Sequence, residues 1–337
     1  MNGQPLTDQA PAATAAALRL GTRRSALAMA QSGMVAREVA RVTGRPVELV
    51  EITTYGDTSK EALAQIGGTG VFVSALRDAL LEGRIDFAVH SLKDLPTAEP
   101  EGLALAAVPA REDARDALVA REGLALDELV EKLAGAGRTA RIGTGSPRRM
   151  AQLNAWARGR GAQIETVAIR GNVDTRIGFV ASGELDAVVL ATAGLNRLGR
   201  AAEVTEHLDP ELMLPAPGQG ALAIECARAD GELAAALSAL DHAPTRAAVA
   251  AERALLATLE AGCSAPVAAL ATWGHEYELR LEGVVGTVDG ATLLKMSANG
   301  PIVLDETAER QAAALGRALA ARLLDAGAAA LMGERAR

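Results

Sequence analysis

The pattern that points most directly to chemistry is the repeated placement of arginine at the starts of predicted helices. It occurs in GTRRSALA (21–28), GTGSPRRMAQL (143–153) and AIRGNVDTRIG (168–178). A helix N-terminus carries a partial positive charge, so an arginine in the first turn costs roughly 0.3–1 kcal/mol unless an anion binds there. Any one of these arginines is more simply interpreted as a solvated surface residue, but the repetition indicates a ligand with several anionic groups.

Five arginines are candidates for this anion site. The planar guanidinium group matches carboxylate or phosphate oxygens in a bidentate manner. All three segments follow predicted strands, and ligands of open α/β sheets bind beyond the carboxyl ends of the strands. In the second segment, Ser146 suits the N-cap and Pro147 the first helical position, which fixes the helix start. The candidates are Arg23, Arg148, Arg149, Arg170 and Arg176.

A fourth predicted strand end, DFAVHSLKDLP (86–96), is unusually dense in polar residues. A carboxylate beside cations stays ionised and can stabilise a developing positive charge, or it can protonate a leaving amine if its pKa is raised. Asp94, next to Lys93, is therefore the acid–base candidate. The alternative is that Asp94 caps the turn before Pro96. His90 has apolar neighbours and is interpreted as a structural histidine.

Two further segments are candidates for binding. IGGTGVF (66–72) is a glycine-rich turn that matches neither a Walker A loop nor a complete dinucleotide fingerprint, so its flexibility suits a loop over a cleft. LEAGCSAPVAAL (259–270) places Cys263 between a glycine and a turn of small residues. Its local sequence alone suggests a structural thiol, and the same holds for Cys226.

The composition limits the classes of function. The chain has 337 residues, a net charge of −8, a pI near 5.2 and only 2% aromatic residues, which argues against a nucleic-acid binder. Its two cysteines form no disulfide framework and show no metal-binding spacing with the four histidines, which favours the cytoplasm. Charges interrupt every apolar run before the roughly 20 residues that a bilayer crossing needs. We expect no nucleic-acid partner, no membrane association and no metal.

Alternating elements must position these residues. From residue 18, short β-rich runs alternate with helical patterns, which predicts two α/β lobes built from βαβ units. The proline- and glycine-rich start of 214–226 suggests a crossover, and the later periodicities predict an α+β domain with an antiparallel sheet. We expect a disordered tail over residues 1–17, a first α/β domain over 18–110 plus about 216–240, a second over 111–215, and an α+β domain over 241–337.

Five motifs in this order resemble those of the porphobilinogen deaminase (hydroxymethylbilane synthase) family. They are HSLKDLP, GTGSPRR, RGNVDTR, LPAPGQGA and LEAGCSAP, and IGGTGVF, REDARDAL and AGLNRLG agree with them. The resemblance covers roughly residues 18–330 and implies two lobes like those of periplasmic binding proteins, with mainly parallel sheets around a cleft. Members of this family join four porphobilinogen molecules head to tail, release ammonia at each step and free linear hydroxymethylbilane.

The resemblance also implies roles for the candidate residues. Cys263 matches the cysteine that holds a dipyrromethane primer through a thioether, on a loop of the C-terminal domain. Asp94 matches the catalytic aspartate, which assists loss of ammonia and stabilises the cationic azafulvene. The implied cofactor-binding residues are Lys93, Thr144, Ser146, Arg148, Arg149, Arg170 and Gly171. The implied substrate-binding residues are Arg23, Ser25, Phe72, Arg176 and Gln219. A monomer is the expectation for this family.

The chain departs from the family pattern in two segments. Gln65 and Thr69 stand where many relatives have lysine in the glycine-rich loop, and Tyr55 stands where a basic or small polar residue is often found. These residues weaken the expectation that the loop holds the growing chain electrostatically.

Two other classes of protein fit part of the pattern. A non-enzymatic, two-lobed polycarboxylate-binding protein would show the same arginines, but it would need neither Cys263 nor Asp94. A cysteine-nucleophile hydrolase would need a histidine base near Cys263, and no histidine motif marks one.

Overall fold

The structure is a computed structural model that describes residues 16–53, 73–261 and 265–332. Its first sheet contains β1 (Leu18–Thr22), β2 (Val47–Glu51), β3 (Phe87–Ser91), β4 (Leu103–Ala107) and β10 (Leu222–Ala227), and its helices are α1 (Ala26–Thr43), α2 (Ser74–Leu81) and α7 (Gly231–Leu237). The strand order is β2-β1-β3-β10-β4. The first three strands are parallel, whereas β10 is antiparallel to both β3 and β4. A strand from far along the chain therefore completes the first lobe.

The second lobe repeats this mixed arrangement. Its strands are β5 (Asp116–Ala120), β6 (Ala140–Thr144), β7 (Ile164–Ala168), β8 (Ala187–Ala191) and β9 (Glu206–His207), and its helices are α3 (Leu126–Gly135), α4 (Pro147–Arg160), α5 (Val173–Ala181) and α6 (Thr192–Arg197). The strand order is β7-β6-β8-β5-β9, and β5 runs antiparallel to both of its neighbours. The junctions β1–α1, β6–α4 and β7–α5 carry the predicted arginines.

A smaller third unit combines an antiparallel sheet with helices. It contains β11 (Val267–Trp273), β12 (Glu278–Gly286), β13 (Leu293–Pro301), α8 (Ala243–Thr258), α9 (Ala308–Asp325) and α10 (Ala328–Leu331). Helices α8 and α9 pack so closely at Gly316 that a Cβ there would lie 2.1 Å from the carbonyl oxygen of Ala251. The predicted fold class, two α/β lobes and a C-terminal α+β domain, is confirmed. Within the described ranges, no helix combines the length and apolarity that a bilayer crossing requires.

The two lobes share one structural detail beneath the predicted site. Asp86, just before β3, accepts the backbone N–H of Arg19 in β1 at 2.6 Å. Asp186, just before β8, accepts the backbone N–H of Arg141 in β6 at 2.9 Å. In each lobe an aspartate thus ties two parallel strands together at their amino ends.

One buried carboxylate joins all three units. Glu252 of α8 is fully buried and accepts hydrogen bonds from Arg111 Nη1 at 2.6 Å and Nη2 at 3.0 Å. It also accepts the backbone N–H groups of Gly218 at 2.7 Å and Ala271 at 2.8 Å. Glu252 therefore holds the segment before β5, the crossover before β10 and the start of the third sheet in one arrangement.

We expect Glu252→Ala to lower the free energy of unfolding by about 3–5 kcal/mol, because it leaves the Arg111 guanidinium and two backbone N–H groups without their acceptor. Urea unfolding followed by circular dichroism measures this loss. The control is Glu38→Ala, which removes an exposed ion pair to Arg41 of 2.9 Å and should cost less than about 1 kcal/mol. Equal losses in the two variants would contradict the structural role of Glu252.

Candidate active site

A candidate cleft begins at the ends of β1 and β3. Arg23, Ser25, His90 and Asp94 line it together. Ser25 caps α1, because its hydroxyl accepts the N–H of Ala28 at 3.3 Å. The cleft thus collects residues from two neighbouring strand ends, as the sequence predicted.

Asp94 occupies a short 3₁₀ turn (Leu92–Asp94) directly after β3. The turn is closed by the backbone N–H of Leu95, which donates to the carbonyl of Leu92 at 3.1 Å. The Asp94 side chain is exposed, and none of the hydrogen bonds among the described residues involves its carboxylate. A capping role for Asp94 before Pro96 therefore finds no support, and its carboxylate is available in the cleft.

A buried carboxylate that sequence reasoning missed, Asp116 of β5, organises the cations of the second lobe. Its Oδ1 accepts Arg149 Nε at 3.1 Å and Nη2 at 2.7 Å, and its Oδ2 lies 2.8 Å from Arg148 Nη1. Burial alone would raise the pKa of Asp116, but the two guanidinium groups outweigh burial and hold the pKa far below its usual value. Asp116 lies in the REDARDAL motif, yet nothing in that motif shows that it is buried.

Arg148 and Arg149 are only 4% and 5% exposed, although their place at the start of α4 predicted that they face a cleft. Arg148 Nη1 donates to the carbonyl of Leu214 at 2.6 Å, and Arg149 Nη1 donates to that of Val189 at 2.8 Å. Much of their donor capacity is therefore used by the protein. The Nε of Arg148 is different, because it is buried and has no hydrogen-bond partner among the described residues.

Gln219 connects the two lobes. Its Nε2 donates to Asp116 Oδ1 at 2.9 Å and to the carbonyl of Ala114 at 2.7 Å, and its Oε1 accepts Lys93 Nζ at 3.3 Å. The side chain is fully buried. Both the nitrogen and the oxygen of its carboxamide are thus bonded to protein groups.

Two cations of the site have depressed pKa values. Burial lowers the pKa of Lys93 to about 8; Asp94 opposes this shift, and Arg149 adds to it. Burial likewise lowers the pKa of Arg176 to about 10, and the charges of Arg149 and Arg170 lower it further. Positive charge is therefore crowded here, which an anionic ligand would relieve.

The remaining predicted residues lie at the starts of α4 and α5. Ser146 occupies the N-cap position, but its side chain makes no capping hydrogen bond; instead, its N–H donates to the buried Thr144 hydroxyl at 3.2 Å. Gly171 has φ of +109°, and a Cβ there would lie 2.7 Å from Thr175 Cγ2. Its carbonyl accepts Arg176 Nε at 2.9 Å, which orients this arginine. The adjacent Arg170 is exposed.

Several residues that the sequence analysis singled out lie outside the described ranges. Cys263, Phe72, Tyr55, Gln65 and Thr69 lie outside the described residues, and their assignments stay predictions. The glycine-rich segment 66–72 lies there as well.

Comparison with known protein families identifies the family of this chain. The profile described as "Porphobilinogen deaminase, dipyromethane cofactor binding domain" matches residues 18–235, and "Porphobilinogen deaminase, C-terminal domain" matches residues 246–325. The chain belongs to the porphobilinogen deaminase family. As a porphobilinogen deaminase family member it is a transferase of tetrapyrrole synthesis that uses a dipyrromethane cofactor, which confirms the predicted family, reaction and cofactor.

Individual relatives agree with this assignment. "Porphobilinogen deaminase 1" of Streptomyces avermitilis is 68% identical over 95% of this chain and 98% of its own length, and its namesake of Streptomyces coelicolor is 67% identical over 96% and 99%. The porphobilinogen deaminase of Thermobifida fusca is 54% identical over 92% and 94%. Among solved structures, a periplasmic substrate-binding protein of an ABC transporter from Coxiella burnetii is 12% identical over 66% of this chain and 91% of its own, with a TM-score of 0.41.

The depressed pKa of Lys93 predicts a pH dependence. Lys93 is charged below its pKa of about 8 and neutral above it, so kcat/KM for porphobilinogen should fall as the pH rises through about 8. In Lys93→Arg the guanidinium stays charged, so this fall should be absent. The measurement is kcat/KM against pH for both enzymes. Titration of the substrate affects both equally, and identical profiles would rule out Lys93 as the titrating group.

Proposed function

We propose that the two lobes hold a dipyrromethane primer, linked to Cys263, and the growing oligopyrrole, and that Asp94 carries out the proton chemistry. The observation that carries this proposal is the concentration of buried and half-buried cations around one exposed carboxylate. Lys93, Arg148, Arg149 and Arg176 are the cations, in a protein of net charge −8. Such a local reversal of charge suits a polycarboxylate ligand.

The described residues fit the cofactor. Dipyrromethane carries the acetate and propionate groups of two pyrroles, and when bound it supplies the pyrrole carbon on which the chain grows. The Nε–H of Arg148 is a buried donor for which no described residue provides an acceptor. The charges of Arg149 and Arg170 lower the pKa of Arg176, and the carboxylates of a ligand would favour its charged form. We propose that these arginines, with Lys93 and the helix start at Ser146, bind the carboxylates of the cofactor.

Asp94 is placed for a role in deamination. Its negative charge acts on both Lys93 and Arg176. An ionised carboxylate without a protein hydrogen bond can accept the pyrrole N–H of the substrate and stabilise the positive charge that develops as ammonia leaves. It can then take up the proton that is released when the new carbon–carbon bond forms.

Substrate carboxylates would be bound by the first lobe. Arg23 and Ser25 line the cleft beside Asp94. The start of α1 adds a partial positive charge beside them. We propose that these groups, with Arg176, orient porphobilinogen, and that Asp116 and Gln219 act as positioning residues that fix the cations. Phe72 stays a sequence-based candidate.

Three wider properties are proposed on the same basis. We assign a first domain over 18–110 plus about 216–240, a second over 111–215 and a third over 241–337, and β10 in the first sheet supports this division. A monomeric state rests on the family expectation. A cytoplasmic location is supported by Cys226, a buried thiol with no disulfide.

The cofactor linkage is tested by intact mass. We expect the wild-type protein to be heavier than its sequence by one dipyrromethane, because the Cys263 sulfur is consumed in a thioether. Cys263→Ser should lose both the extra mass and the activity. The matched control is Cys226→Ala: Cys226 is buried and burial raises its thiol pKa to about 11, so this variant should keep the extra mass. Full turnover by wild-type protein of unmodified mass would exclude the linkage.

The role of Asp94 is tested by Asp94→Asn. We expect this variant to keep the extra mass but to lose at least about 100-fold in kcat, the contribution typical of a general acid–base group. Single-turnover assays of porphobilinogen consumption measure the loss. Asp78→Asn, an exposed aspartate of α2 outside the cleft lining, is the control. Normal turnover of Asp94→Asn would remove Asp94 from the mechanism.

A further inference from the structure

A second cavity lies between the first lobe and the third unit, and among the described residues it shares no lining residue with the catalytic cleft. Its volume of about 350 Å³ is at the small end of the range for ligand sites, which often form at domain interfaces. The walls are the segment 95–100 and β4 on one side and helices α8 and α9 on the other. We call this cavity the interdomain groove.

Small apolar residues line the floor of the interdomain groove. Helix α8 contributes Ala250, Ala254 and Ala257, which share one helix face, and α9 contributes Ala313. Leu103 and Leu105 of β4 add apolar surface. A planar ring can stack in such a space, whereas larger side chains at these alanine positions would fill it.

The charges around the floor favour an anion. Three glutamates and four arginines line the groove. Each glutamate has an arginine partner: Glu225 with Arg77 at 2.7 Å, Glu99 with Arg228 at 3.6 Å and Glu309 with Arg246 at 3.6 Å. Arg317, on the groove face of α9, makes no hydrogen bond or ion pair with any part of the chain that the structure describes. Its guanidinium is an available partner for a carboxylate.

The groove also adjoins the catalytic aspartate along the chain. Arg253 of α8 donates from Nη1 to the carbonyl of Leu95 at 3.2 Å and from Nη2 to that of Pro96 at 2.8 Å. Leu95 and Pro96 line the groove and directly follow Asp94. The guanidinium of Arg253 therefore holds the segment that carries Asp94, and it faces the groove while doing so.

At the inner end of the groove, Glu225 makes contacts that also connect the groove to the catalytic cleft. Glu225 accepts Arg77 Nε at 3.0 Å and Nη2 at 2.7 Å, and its Oε2 lies 3.2 Å from Nε2 of His90, a residue of the cleft. Burial acts to raise the pKa of Glu225, but the contacts with His90 and Arg77 lower it to about 2. The charges at this end are therefore already paired, so we expect an anionic ligand to bind at Arg253 and Arg317 instead.

We propose that the interdomain groove is a second ligand site, which binds a small single-ring carboxylate, and that its occupation lowers turnover. The ring lies on the alanine floor. The carboxylate pairs with Arg317 and also with Arg253, which then loses its hydrogen bonds to the carbonyls of Leu95 and Pro96. Asp94 then loses the support of the segment that follows it. The binding half of this proposal does not depend on the catalytic roles proposed above.

Binding is tested on the cofactor-loaded protein with 4-fluorobenzoate as the probe, followed by ¹⁹F NMR titration. We expect saturable binding to the wild type, weakening of about tenfold in Arg317→Glu, which corresponds to loss of one charge-assisted hydrogen bond, and no binding of neutral 4-fluorobenzamide. Arg310→Glu is the matched control, since Arg310 is exposed on the same helix but does not line the groove. Absence of saturable binding, or equal binding to Arg317→Glu and wild type, overturns the site.

The effect on turnover is tested by steady-state kinetics with benzoate as the added ligand. Benzoate that entered the catalytic cleft would compete with porphobilinogen and raise the apparent KM alone, whereas occupation of the groove should lower kcat. We expect the fall in kcat in wild type and Arg310→Glu, and its loss in Arg317→Glu and in Ala313→Leu, which fills the floor without changing charge. A purely competitive effect, or an undiminished fall in both groove variants, overturns the coupling.

Discussion

The buried ion cluster around Asp116 is the interaction on which the catalytic site depends. Arg148 and Arg149 are removed from water, and an isolated buried charge costs several kcal/mol. Asp116 supplies their counter-charge, and Gln219 extends the cluster to Lys93 of the other lobe. Asp116 therefore balances only part of the positive charge, and both arginines are also held by backbone carbonyls of the protein.

The third unit takes part in positioning the active site as well as in covering the lobes. Glu252 and Arg253 are consecutive residues of α8, and consecutive residues point about 100° apart around a helix. Glu252 binds the crossover at Gly218, whereas Arg253 binds the two carbonyls that follow Asp94. Two consecutive residues of α8 thus connect the junction of the lobes to the segment that follows Asp94, and the proposed effect of the interdomain groove on turnover rests on this connection.

Local sequence patterns predicted the elements that carry the site with good accuracy. The predicted alternation of β-rich runs and helices corresponds to strand–helix pairs such as Leu18–Thr22 with Ala26–Thr43 and Ala140–Thr144 with Pro147–Arg160. Ser25 caps its helix as such a residue should, but Ser146 does not. The sequence does not mark β5 as a strand, because Asp116 lies within a charged motif that has no periodicity indicating burial. Nor could it pair β10 with β3, because strand partners distant in sequence are not encoded locally.

The sequence by itself determined the family, the α/β character of the lobes and the candidate cations and carboxylate of the site, because helix caps, glycine turns and motif order are local properties. Only the tertiary structure decided which cations are buried and what pairs with them. Burial and ion pairing depend on contacts such as Asp116 with Arg149, 33 residues apart, and Arg253 with Leu95, 158 residues apart. The interdomain groove likewise exists only where two separately encoded units meet, so no stretch of sequence could reveal it.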